Sequence, residues 1–410
     1  MAVQSKSPDQ YLSLVHKLGA LYPNLDEAFA RFDAGFQTEM QSVAEQHHRG
    51  NQVIPDISFN AITKRGFTAE TANMVKQRGC VIVRGVVGEE QARRWHDQLL
   101  DYLSVNNYYT TLAEDLARQH SRRSKHTNML DVYWSQPQLE ARQSANMREL
   151  QRYLNSLWNV PDSGMGHFNP DKLVTYADRV RIREPLDQTL GLVAHVDSSS
   201  LESWFDLSSL ESSYHSVLSG ELQQFDPFSS SGRVYTNKKP QADACSMFRT
   251  FQGWLALSEQ GKSSGTLQLI PSVHCTAWLL LFCVTHILRN ESEVYPVPGK
   301  AFNLQEDLHG PLLQGLCGLP TMYPGDTIWW HPDVMHAVEF ANESLSRSSV
   351  MFMGAAPDCD RNRAHLNQQL RAFERGLSPP DFPAVHAEQY YSGRGNKRHL
   401  NEHGLDMMGF

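Results

Sequence analysis

From about residue 172 to 357 the chain repeats one kind of unit, a short β-branched or aromatic run closed by Gly, Pro, Asn or Asp. The runs are "RVRIRE", "GLVAHVD", "FQGWLALSE", "GTLQLIP", "GDTIWW" and "SSVMFMG". Several short strands with few inserted helices predict a β-sandwich or barrel. The rest of the chain reads differently. Residues 1–77 place apolar residues at three-to-four spacing, the mark of amphipathic helices. "CVIVRG" then reads as a strand, and "GEEQARRWHDQLL", acids first, as a helix.

These patterns predict a mainly β fold with helical additions. An N-terminal helical extension (1–77) precedes a β core (78–357), and a C-terminal helix and tail (358–410) pack on that core. Two inserts interrupt the core. Residues 104–165 read as helix and loop and carry the basic run "RQHSRRSKH", taken as a solvated helix end. Residues 206–245 contain "DPFSSSGRVYTNKKPQAD", which reads as a surface loop able to act as a lid. The helix "RNRAHLNQQLRAFERG" is expected to end at Gly376.

Composition narrows the function classes. Of 410 residues, 40% are hydrophobic and 20% charged, enough apolar content for a proper core. The net charge of −8 does not favour nucleic acid. Six cysteines without a CxxC pair fit a reducing compartment. The N-terminus shows no signal-peptide core, and the longest apolar run, "AWLLLFCV" (277–284), is far short of the roughly 20 residues that cross a bilayer. A cytoplasmic protein acting on a small molecule, with no membrane or nucleic-acid partner, is the expectation; the oligomeric state is not readable.

The chemistry-bearing residues are few. In "GLVAHVDSSS", His195 and Asp197 are two apart, so on a strand both point to one face and can grip one metal. An isolated H-x-D is more often an ordinary polar pair, and a second one, His331-Pro332-Asp333, lies in "WWHPDVMHAVEF" together with His336. "DRVRIREP" puts Arg179, Arg181 and Arg183 on one strand face. The simpler reading turns that face to water; the alternative points Arg181 or Arg183 into the barrel, toward an anionic ligand. Trp204 is a candidate pocket wall, although such a residue is more often core.

The order H-x-D, I-P-x-x-H ("IPSVH"), P-G-D, a distal histidine and a later arginine resembles the Fe(II)/2-oxoglutarate-dependent oxygenases, especially the phytanoyl-CoA dioxygenase branch. "RGCVIVRGVVGEEQARRW" and "GWLALSE" extend the likeness over roughly 78–357, and "HVDSSSLESW" with the helical N-terminus resembles a YbiU-type microbial subgroup. The resemblance implies a double-stranded β-helix, a jelly roll of cupin-like form. It implies Fe(II) on His195, Asp197 and His336, with 2-oxoglutarate and O2 as co-substrates. His336 is preferred to His331 because Arg347 follows it at the family's usual spacing. Arg347 and Ser349, sharing a strand face, would then hold the distal carboxylate of 2-oxoglutarate. His331 is left as a candidate pocket residue and His274 as structural. Hydroxylation is expected because Asp197 is present. The alternatives are a cupin-like metal-dependent oxygenase or isomerase that uses no keto acid, and a non-catalytic jelly-roll binding protein.

Overall fold

The computed structural model describes residues 8–62, 66–117, 128–160, 167–189, 191–234, 245–291, 295–385 and 387–410. The basic run 118–126 lies outside the described residues. Its strands are β1 (Asp56–Ser58), β2 (Cys80–Arg84), β3 (Met129–Leu130), β4 (Phe168–Leu173), β5 (Val180–Arg183), β6 (Leu192–Val196), β7 (Phe251–Ala256), β8 (Leu267–Leu269), β9 (Phe302–Asn303), β10 (Cys317–Gly318), β11 (Thr327–Trp330), β12 (His336–Val338), β13 (Ser348–Ala355) and β14 (Pro357–Cys359).

Seven strands form one sheet in the order β1-β2-β11-β7-β13-β5-β3, and five form a second in the order β10-β8-β12-β6-β9. Strands β4 and β14 pair separately. Inside these sheets, β5-β13-β7-β11 and β6-β12-β8-β10 are two antiparallel blocks of four. The chain passes from one block to the other at every step except β8 to β10, so the two sheets are wound together and do not fold one after the other.

Side-chain alternation decides which face each residue serves. Ile328, Trp330 and Val350 join one core with Ala194, Val196, Leu267, Leu269 and Ala337 of the facing sheet. Trp329, Met351, Met353, Val180 and Ile182 join a second core under the helices Glu89–Val105 and Ala145–Asn155. The larger sheet is thus buried on both faces, and β7 and β11 are buried at every position. Covering both faces takes many helices, and helical residues outnumber strand residues. The architecture is mixed α/β, which corrects the mainly β expectation.

The "AWLLLFCV" run lies in the helix Cys275–Leu288, which is buried almost all round. At about 1.5 Å per residue its 14 residues span about 21 Å, short of the roughly 30 Å of a bilayer core. Among the described residues no helix is long and apolar enough to cross a membrane. It packs instead against the N-terminal helices Pro8–Leu21 and Leu25–His48, with Trp278 stacked on Phe36 and donating to Asp33. The insert expected as a surface loop contains the helix Leu207–Leu218, capped by Asp206, whose carboxylate accepts from Ser209 N. Apolar residues at three-to-four spacing (Leu210, Tyr214, Val217) give this helix a buried face; the Gly, Pro and Lys content of the insert belongs to the segment after it. Residues 235–244 of the insert lie outside the described residues. The helix Asp360–Arg375 ends at Gly376, whose φ of 69° suits a left-handed cap.

Candidate metal centre

β6 and β12 carry the site. Gly191 lets the two strands close: a Cβ there would lie 2.2 Å from the Val338 and Glu339 carbonyl oxygens. With the strands in contact, His336 sits opposite His195 in the ladder, and the two ring centroids are 4.2 Å apart. Asp197 follows β6 by one residue, and its Oδ1 is 3.6 Å from His195 Nε2. One ligand atom from each of His195, Asp197 and His336 falls within 4.8 Å of the others.

The residues present fit a metal. His195 Nδ1 meets the Val193 carbonyl at 2.8 Å, which fixes the tautomer with Nε2 free to coordinate. His336 Nδ1 is buried and makes no hydrogen bond of good geometry among the described residues. Burial, then repulsion from His195, pushes the His336 pKa down to about 3, so the imidazole is neutral at physiological pH. Burial opposes ionisation of Asp197, but His336, His195 and Arg249 outweigh it and hold the carboxyl below its usual range. Two imidazoles and a carboxylate on one side of a cavity suit a divalent first-row metal with open positions.

The triad opens on a cavity of about 360 Å³ that Arg181, Arg249, Gln252, Trp254, Trp330 and Phe352 help to line. Arg249 is held between Asp178 (3.7 Å) and Asp197 (3.9 Å), with its guanidinium over the Tyr176 ring. Sequence reading missed Arg249 and Gln252. Parity from Trp254 places Gln252 on the cavity face, but no local signal marks Arg249, which precedes the strand.

The other sequence-predicted residues divide. Arg181 lines the cavity. Arg179 also lines it, and Arg183 is fully buried, so the arginine face of β5 turns inward and not to water. Arg183 spends its donors on Asp187 and on the carbonyls of Glu339, Thr189 and Phe340, a structural clamp and not a ligand contact. Trp204 is wholly buried against Tyr214 in the core and does not wall the cavity. His331 is also away from it, stacked on Trp158, with Nε2 meeting the Pro227 carbonyl at 3.1 Å and Nδ1 accepting from Asp333 N. Asp333 takes a two-point contact from Arg233, at 3.1 and 2.6 Å. The local His-Pro-Asp is therefore a packed loop. His274 sits in the turn before the Cys275 helix, 3.4 Å from Glu39.

Arg347 and Ser349 do share a face, but it is the outer one. Val350, in the core between the sheets, and Phe352, on the cavity wall, take the inner face of β13, which turns Arg347 out to pair with Glu184 at 2.8 Å. Ser349 is buried beneath, its amide donating to Ser258 Oγ.

A Gig2-like family model matches residues 6–410 of the chain. YbiU of Escherichia coli K12 is 32% identical over 96% of this chain and 94% of its own. A Salmonella typhimurium LT2 protein, assigned provisionally as an oxidoreductase, is 31% identical with a TM-score of 0.87, covering 100% of this chain and 99% of that one. GlcNAc-inducible gene 2 of Candida albicans shares the fold at a TM-score of 0.79 and 23% identity, over 100% of this chain and 90% of its own. The matches run essentially end to end, and the chain belongs to the Gig2-like family as a homologue of YbiU.

Proposed function

We propose that this chain is an Fe(II)- and 2-oxoglutarate-dependent oxygenase that hydroxylates a small molecule, and that its wound pair of sheets is a double-stranded β-helix. The observation that carries the reading is the cluster of His195, Asp197 and His336 at the cavity wall, two imidazoles and one carboxylate from adjoining strands. The winding supports it: numbered by position among the eight core strands, the orders are 1-8-3-6 and 2-7-4-5, with the H-x-D closing the second and the distal histidine opening the seventh. The provisional oxidoreductase assignment of the Salmonella relative agrees with redox chemistry.

On this reading, His195, Asp197 and His336 hold iron, which when bound supplies O2 activation coupled to oxidative decarboxylation of the keto acid. The protein's own part is positioning. The Val193 carbonyl orients His195, Arg249 steadies Asp197, and Trp254, Trp330 and Phe352 give the cavity its apolar wall. Anaerobic addition of Fe(II) and 2-oxoglutarate should give a weak visible charge-transfer band. Its absence in the wild-type protein, or its persistence in His195→Ala, would overturn the proposal.

The outward position of Arg347 favours a second reading, a metal-dependent oxygenase or isomerase that uses no keto acid. Conversion of 2-oxoglutarate to succinate without added substrate decides between the two.

A further inference from the structure

We infer that Arg181 is the carboxylate anchor of the cavity, and that the site takes a dicarboxylic 2-oxo acid lying from the metal centre along β5 and β8. The inference rests on the oxygenase reading for the identity of the ligand, but the anchor itself is argued from charge and geometry.

Arg181 is a buried guanidinium on the cavity wall. Its one protein hydrogen bond among the described residues goes from Nη2 to the Gly265 carbonyl, and no ion pair accompanies it. The nearby acids are engaged elsewhere. Asp187 accepts from Arg183 and Thr189, and Glu339 accepts from the amides of Ser263 and Thr266. An unpaired buried cation is destabilising, and an incoming anion relieves it. Burial and the neighbouring Arg183 also push its pKa down to about 9, the direction expected of a cation that lacks a partner. Arg179 and Arg249, the other cavity arginines, each lie within 3.8 Å of Asp178.

Placement agrees with the ligand class. Leu269 lies opposite His336 at one end of β8, and Gly265 precedes the other end by two residues, so the triad and the Arg181–Gly265 contact lie toward opposite ends of one strand. The Arg181 side chain enters the cavity from the Gly265 end. A five-carbon diacid bound to a metal through its keto end reaches about 10 Å to a hydrogen-bond donor. Pyruvate, with no second carboxylate, does not reach. A planar fork facing a carboxylate also gives two-point contact, which the outer-face Arg347 cannot offer to this cavity.

Binding of 2-oxoglutarate and of pyruvate to the Fe(II)-loaded full-length protein tests the assignment, with Co(II) affinity as an independent readout. Arg181→Gln should weaken 2-oxoglutarate at least tenfold, leave pyruvate and Co(II) within about twofold, and be matched by no change in Arg347→Ala. Arg181→Lys, which keeps the charge, should fall between and covers the case in which the glutamine variant does not fold. Unchanged 2-oxoglutarate affinity in both Arg181 variants overturns the anchor. If wild-type protein binds no 2-oxoglutarate at all, the oxygenase reading fails. Glutarate binding to wild type and Arg181→Gln then tests the anchor alone: equal affinity for the two, or none for either, overturns it.

Discussion

His336 on β12 lies across the ladder from His195 on β6, and their imidazole centroids are 4.2 Å apart. Two such rings held in contact, one of them buried with an unsatisfied nitrogen, make a costly arrangement that a shared cation relieves. Co(II) or Fe(II) at 100 times its Kd should therefore stabilise the fold by about 2.7 kcal/mol. His336→Ala should abolish the gain, read as the metal-dependent shift in urea midpoint. An equal shift in wild type and variant would place the metal elsewhere.

Arg347→Ala should cost less than about 1 kcal/mol, because its pair with Glu184 is half-exposed and water screens it. Fe(II)-dependent turnover of 2-oxoglutarate should survive. Loss of turnover at intact stability would restore Arg347 to the site.

Arg233→Met should cost about 3–5 kcal/mol. It leaves the fully buried Asp333 carboxylate without its two-point partner. The double variant Arg233→Met/Asp333→Leu should regain most of that loss in urea unfolding. A double variant as unstable as the single one would mean that the pair's packing matters more than its charge.

Acid should destabilise the protein through His331. Burial lowers its pKa to about 3, whereas in the unfolded chain the imidazole titrates near 6.5. Between those values the unfolded state binds the extra proton, so stability rises with pH and is lost as pH falls from about 6.5. The slope from this group is up to about 1.4 kcal/mol per pH unit. His331→Asn should flatten the dependence between pH 6.5 and 4.5; an unaltered slope would assign it to other groups.

Gly253→Ala should destabilise by about 1–3 kcal/mol, since its Cβ would meet the Trp329 ring at 2.5 Å and the Ile328 carbonyl at 2.7 Å. Thermal unfolding is a sufficient check. A neutral result would show that Trp329 can move aside.

Alternation along single strands was legible before folding. It put His195 and Asp197 on one face, Arg179, Arg181 and Arg183 on one face, and Arg347 and Ser349 on one face. What period two does not say is which face is inside. For β5 the arginines go in, because Val180 and Ile182 are claimed by the helical layer outside. For β13 Arg347 goes out, because Val350 and Phe352 take the inner face. The extent of helix was also hidden, since an apolar strand reads alike whether a sheet or a helix covers it.

The sequence by itself thus determined the strand-rich middle, the H-x-D pair and the presence of a second, distal histidine, all of them local matters of residue type and spacing. Only the tertiary structure decided between His331 and His336. Both lie within one short stretch, but the loop folds His331 onto Trp158 and Pro227, while the β6–β12 ladder brings His336 to His195. Contacts between residues 141 positions apart (336 − 195) depend on strand register, and register is set by the packing of the whole core.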